Sequence, residues 1–111
     1  MSKTLVAASA RPMILSLLLK GESYGYRILQ EVTALSGGTI DWSEALLYPV
    51  LHRMEKEGFL HSRWKISGEG RLRRYYAITD KGRKELDGER RQWRSVVQAL
   101  AKLWKPLPSP D

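Results

Sequence analysis

The stretch SEALLYPVLHRMEKEGFLHSRWKISGEGRLRRYY, Ser43 to Tyr76, changes its hydrophobic period in the middle. Its first half predicts a helix. The Ser43 hydroxyl is placed to cap it, and Glu44 puts negative charge where the helix dipole favours it. Leu47, Val50, Leu51 and Met54 recur at helical spacing as an inward stripe, leaving Glu44, Ala45, Tyr48, His52, Arg53 and Lys56 toward solvent. Pro49 lies too deep for its missing amide to be harmless, so a local bend is expected there. Gly58 is a stop signal. From Phe59 the period becomes two: Leu60, Ser62, Trp64 and Ile66 share one strand face. Arg74, Tyr76 and Ile78 share one face of a return strand, with Ser67-Gly68-Glu69-Gly70 as the turn. A polar helix face beside an arginine-studded ribbon suits duplex DNA, whose major groove admits either element and whose phosphates attract cations.

Upstream, the apolar segment Leu5 to Leu19 contains Pro12, which is tolerated near a helix start and kinks an established helix. A helix is therefore expected from about Arg11 to Lys20, preceded by a shorter helix or an arm. Met13, Ile14, Leu17 and Leu18 form its inner face. After Gly21, Ser23 is the expected cap of a second helix reaching about Ser36, with Ile28, Leu29, Val32 and Leu35 inward and Gly37-Gly38 ending it. Ile40-Asp41-Trp42 reads as an extended connector.

Downstream, Thr79 or Asp80 caps a last helix running to about Trp104, where Pro106 and Pro108 stop it. Leu86, Trp93, Val97, Leu100 and Trp104 make one stripe, widened by Val96 and Leu103 and interrupted by Arg90. So apolar a helix at the end of a small domain exceeds what the preceding core covers, which predicts packing on a second copy. The expected organisation is residues 1–79 as a helix-and-hairpin domain, 80–105 as a dimerisation helix and 106–111 as a disordered tail. The fold class is mainly α with a small two-stranded β-hairpin. Three helices and then a hairpin is the order of a winged helix-turn-helix.

Composition narrows the function classes. The 111-residue chain suits one domain, and its net charge of +7 is uneven. Residues 1–51 carry four basic and four acidic side chains, 52–76 seven and three, and 77–111 eight and five. The excess is densest at the hairpin, which favours a polyanionic partner over a merely solvated coat. No apolar run approaches a membrane span and no signal peptide is evident, so a cytoplasmic protein is expected. With no cysteine and only His52 and His61 as imidazoles, neither a disulfide nor a metal centre is expected. No nucleophile-base pair, carboxylate pair or phosphate-cradling glycine loop emerges, so no catalytic residue and no cofactor is expected.

Several motifs together resemble the PadR family of bacterial transcriptional regulators. They are Tyr24-Gly25-Tyr26, Leu47-Tyr48-Pro49-Val50-Leu51 followed by His52-Arg53-Met54-Glu55, Glu57-Gly58, and Arg73-Arg74-Tyr75-Tyr76 with Thr79 and Gly82. They cover roughly residues 11–85 in consistent order. The resemblance implies a homodimeric repressor with a winged helix-turn-helix and one C-terminal helix per subunit, as in the family's shorter branch. It implies binding to a two-fold symmetric promoter operator and release by a small aromatic or drug-like effector. It also implies a dimer made through the first and last helices, here Met13, Leu17, Leu86, Trp93, Val97, Leu100 and Trp104. The chain departs from the family at Glu44-Ala45-Leu46, where many relatives carry Pro-Gly-Thr or Pro-Gly-Ser, and this bears on sequence preference.

The expected DNA contacts are Tyr24, Ser43, Tyr48, His52, Arg53, Lys56, Lys65, Arg71, Arg73 and Arg74. Arg71, Arg73 and Arg74 suit phosphates or a narrow minor groove, with Arg74 alternatively lying over an aromatic ring. Tyr48 either plugs the gap between helix and wing or touches a phosphate. His52 and Arg53 either reach base edges or stay solvated. Tyr24 and neighbouring amides suit a phosphate, whereas Tyr26 reads as core. Trp93 is either an interface anchor or a platform for a planar effector, and Trp104 an end cap on that interface. A competing reading is a winged-helix module that binds protein and lacks sequence-specific DNA binding.

Overall fold

The computed structural model describes residues 1–105; the expected tail lies outside them. Ser2 caps the first helix, α1 (Lys3–Leu19), its hydroxyl accepting from the Leu5 amide at 3.2 Å. This helix is continuous, which corrects the expected start near Arg11. Pro12 deprives the carbonyl of Ala8 of its donor, but Ala8 is exposed, so water can serve that oxygen and the helix need not break. Ile14, Leu15 and Leu18 are fully enclosed and supply the packing that holds the helix through the proline.

The second helix, α2 (Gly25–Leu35), starts later than Ser23. Ser23 instead exchanges both backbone hydrogen bonds with Tyr76, its amide donating at 3.0 Å and its carbonyl accepting at 2.7 Å. A residue held in that extended bridge cannot also cap a helix. Tyr24 takes the cap position and supplies no side-chain bond. At the far end Gly37 and Gly38 adopt φ of 62° and 86°. Their amides bond the carbonyls of Ala34 and Thr33, closing the orphaned last turn. Leu35, expected inward, is exposed.

In α3 (Glu44–Lys56), Ser43 accepts from the Leu46 amide at 3.2 Å, and Glu44 sits in the first turn. Leu47, Leu51 and Met54 are buried, while the helix runs unbroken through Pro49. Gly58 at φ 86° closes it, with its own amide on Glu55 and that of Phe59 on Met54. The hairpin β1 (Leu60–Ile66) and β2 (Leu72–Ile78) is antiparallel, with Leu60 opposite Ile78, Ser62 opposite Tyr76 and Trp64 opposite Arg74. Its inner face is core at the base, where Leu60, Tyr76 and Ile78 are buried. Toward the tip the same face is open at Trp64, Ile66 and Leu72.

The last helix, α4 (Asp80–Leu103), is capped by Thr79, whose hydroxyl accepts from Gly82 at 3.0 Å and donates to the Gly58 carbonyl at 2.6 Å. Its 24 residues span about 36 Å, and only Gly82 and Leu86 are buried. The rest projects, drawing the molecule out to 64 × 28 × 23 Å. Four helices and a two-stranded sheet thus form a winged helix-turn-helix with a protruding arm. Among the described residues no helix is long and apolar enough to cross a membrane.

Candidate nucleic-acid interface

The outer face of α3 and the wing meet in one groove of about 400 Å³, lined by Tyr48 and His52 from the helix and Trp64, Leu72, Arg73 and Arg74 from the wing. Tyr24, Gly25 and Tyr26 close it from the start of α2. Tyr26 is mostly exposed, which corrects its reading as core: α2 presents its N-terminal turn to the groove. On α3, Tyr48, His52, Arg53 and Lys56 are exposed as the helical period requires. Arg53 and Lys56 have no ion-pair partner among the described residues. Ser43 spends its acceptor on the cap.

The cations of the wing divide by what holds them. Arg71 is exposed and unpaired among the described residues. Arg73 lies 4.1 Å above the Tyr24 ring, which meets Tyr75 edge-on at 5.4 Å, and reaches Glu69 at 3.4 Å. Lys65 binds Glu22 and lies 4.2 Å from the Tyr75 ring. Arg63, which the sequence reading passed over, forks onto the same Glu22 at 3.1 and 3.2 Å. Lys65 and then Arg63, by donating to this carboxyl, hold it below the usual carboxylate range.

Arg74 is turned inward. Its guanidinium donates to Glu55 at 2.8 Å and to the Ser62 hydroxyl at 2.9 Å, and Ser62 donates to the other Glu55 oxygen at 2.6 Å. The charge also sits 5.6 Å from the Tyr76 ring. This closed triangle ties the wing to α3, and Glu55 and Ser62 were absent from the expected site. Nothing local could reveal them, since Glu55 and Arg74 stand 19 residues apart. Burial pushes the Glu55 carboxyl up, but the Ser62 hydroxyl and Arg74 outweigh it and hold the group below its ordinary value. A depressed carboxylate stabilises the fold above its unfolded value, about 4.3, and loses that contribution as pH falls through the lower folded value. Arg74→Ala is expected to cost about 1–2 kcal/mol at neutral pH, discounted for partial exposure of the pair, and to shrink the acid limb of a stability-pH profile measured by urea melts.

A second concavity, 640 Å³ and mostly apolar, lies between α1, α2 and α4, with Met13, Leu17, Val32, Leu35, Trp93 and Val97 among its walls. The Trp93 indole donates to Glu89 at 3.2 Å. Leu17 and Leu86, expected at a dimer surface, are enclosed in this chain's own core, because the first turns of α4 dock on it. Val96, Val97, Leu103 and Trp104 are exposed, and Leu100 partly so.

The family model of PadR-like transcriptional regulators matches residues 14–88, from the middle of α1 into α4. The chain belongs to that family. A transcriptional regulator of Mycobacterium tuberculosis is 38% identical over 93 residues, covering 84% of this chain and 83% of its own length. The negative transcriptional regulator PadR of Bacillus subtilis is 36% identical over 73 residues, 66% of this chain but 40% of that protein. The crystal structure of a PadR-like transcriptional regulator of Bacillus cereus superposes with a TM-score of 0.83 at 28% identity, covering 95% of this chain and all 100% of that one. Within this PadR-like chain the matched stretch contains α2, α3 and the wing whole, and stops at Gly88.

Proposed function

We propose that this PadR-like regulator is a homodimeric repressor that binds a two-fold symmetric operator through α3 and the wing. The observation that carries this reading is the groove shared by the outer face of α3 and the wing, on elements that also carry the exposed cations Arg53, Lys56 and Arg71, unpaired among the described residues. Cations without an internal partner are free to displace counterions from phosphate. The repressor role takes support from the Bacillus subtilis relative, which is named a negative regulator. The setting for such a regulator is the cytoplasm. Purified protein is expected to bind its own upstream region with an affinity that falls steeply with salt; a folded dimer that ignores that duplex would overturn the reading.

The exposed apolar side of α4 beside the 640 Å³ groove supports the dimer reading. A second α4 laid there would bury Val97 and Met13 and cover Trp93, where a planar aromatic effector would stack. Val97→Glu puts a charge in that seam. Sedimentation is expected to show a monomer, and duplex affinity is expected to fall more than tenfold as the second half-site is lost. The open apolar edge of the wing, Trp64, Ile66 and Leu72, favours the second reading, a protein-binding module. In that case alanine at Arg71, Arg73 and Arg74 would leave partner binding intact.

A further inference from the structure

Only the foot of α4 is packed into the body of the molecule. Gly82 and Leu86 are its buried residues, and beyond them an open groove of 640 Å³ lies between the helix and α1. From Leu86 to Leu103 the helix runs roughly 26 Å, so a tilt of about 10° at the foot displaces its far end by roughly 4–5 Å. A duplex rises about 3.4 Å per base pair along each strand. In a dimer joined along α4, the angle at the foot therefore sets which half-site spacing the two α3 helices reach together.

The bonds at the foot differ in reach. The Thr79 hydroxyl and amide donate to the carbonyls of Gly58 and Phe59, at 2.6 and 3.1 Å, and Lys81 Nζ donates to the Glu57 carbonyl at 2.7 Å. All three come from the cap and the first turn of α4, so they anchor a point and leave its direction open. Glu85 is the outermost residue of α4 with a polar bond to another element among the described residues. Its partner is Arg11 of α1, where one terminal nitrogen lies 3.4 Å from Glu85 and 3.6 Å from Glu57, the C-cap residue of α3. The Arg11 guanidinium sits 5.0 Å from the centre of the Phe59 ring, and its Nε is buried without a partner among the described residues. Packing thus holds its inner edge while its outer edge reaches carboxylates on the two elements whose mutual angle matters. The three side chains are 34–36% exposed, and pairs so exposed add little to stability. A planar head seated against a ring can nonetheless fix a direction.

We propose that Arg11 is a positioning residue that braces α4 against the end of α3 and thereby selects the half-site spacing of the operator. The spacing role rests on the dimeric, operator-binding reading; the brace itself does not. Without the brace α3 and the wing are unchanged, so each head reads its own half-site as before while the angle of the arm spreads. Correctly spaced half-sites then bind less well, because the loosened arms must be ordered on binding. Wrongly spaced ones bind better, because the arms now reach them.

The test compares wild type with Arg11→Met, which keeps an apolar stem against Phe59 and removes the charge, and with Glu85→Ala, which removes only the outer anchor. Because the chain has no cysteine, His61→Cys with Ser95→Cys places one spin label on the wing and one on the arm, both at exposed positions. Pulsed EPR on the full chain, diluted with unlabelled protein, reads the distance between them without DNA, and both variants are expected to broaden its distribution. The second measurement is affinity for duplexes carrying half-sites from the upstream region, moved apart or together in single base-pair steps. Wild type is expected to lose about tenfold per step and the variants about threefold, with an isolated half-site bound equally by all three. A distance distribution as narrow as that of wild type overturns the brace. So does a uniform loss of affinity at every spacing and at the isolated half-site, the mark of a merely structural residue. Broadened distances beside a wild type that binds no paired half-sites sink the operator reading and the spacing role with it, and leave the brace between α3 and α4 standing.

Discussion

Gly82→Ala is expected to destabilise the protein by about 3 kcal/mol, lowering the thermal midpoint by roughly 10–20 °C. Gly82 lies in the first turn of α4, where the helix presses against the base of the hairpin. A Cβ there would collide with the Phe59 carbonyl oxygen and stand 2.8 Å from Ile78 Cγ1. The oxygen cannot yield, because it accepts from the Thr79 amide at 3.1 Å in the junction that starts α4. Alanine improves helix propensity by about 1 kcal/mol, which offsets only part of the clash. Gly88→Ala supplies the control. Six residues onward, an added Cβ meets only the end of Arg91 at 3.9 Å, so the same exchange should stabilise α4 by up to about 1 kcal/mol. Urea melts of the two variants should move in opposite directions; a matching shift would show that α4 does not pack at Gly82 as described.

The elements legible in the sequence are those whose chemistry is local. Ser43 and Gly58 bracket α3 because a hydroxyl and a glycine satisfy helix ends with bonds three to five residues away. The two-residue period of Leu60, Ser62 and Trp64 placed them on one face before any partner was known, and their register with Ile78, Tyr76 and Arg74 follows. What escaped depended on distant partners. Pro12 reads as a breaker until Ala8 is seen to be solvent-exposed. Ser23 reads as a cap until Tyr76 claims its backbone.

The candidate site shows the same division. Arg53 and Lys56 stand where the helical period put them, but the roles of Arg63, Lys65 and Arg74 turn on carboxylates far away in sequence. Glu22 takes Lys65 and Arg63, and Glu55 takes Arg74. Counting arginines located the basic surface without distinguishing free charges from structural ones. On α4 the sequence groups Leu86 with Trp93, Val97, Leu100 and Trp104 in one stripe, yet Leu86 belongs to the core while Val97 and Trp104 are exposed. Where a helix leaves its domain is a tertiary fact.

That division of charges makes the largest expected effect on function specific. Alanine at Arg53, Lys56 and Arg71 together is expected to weaken duplex binding by about 10²–10³-fold per subunit at 0.1 M salt, taking each charged contact at roughly 1–1.5 kcal/mol. The slope of log affinity against log salt should shrink by about 5.4 for the dimer, since six phosphates are no longer neutralised and each removes about 0.9. All three side chains are exposed, so folding stability should change by no more than about 0.5 kcal/mol per site. Arg63→Ala with Lys65→Ala is the comparison, because these two cations already neutralise Glu22 and must leave it before meeting a phosphate. Their removal should shift the slope by less than about 1. Salt titrations of both variants in a fluorescence anisotropy assay decide the matter. If the Arg63 and Lys65 pair accounts for as much of the slope as the three unpaired cations, Glu22 does not compete with phosphate, and the rail runs along the outer face of the wing.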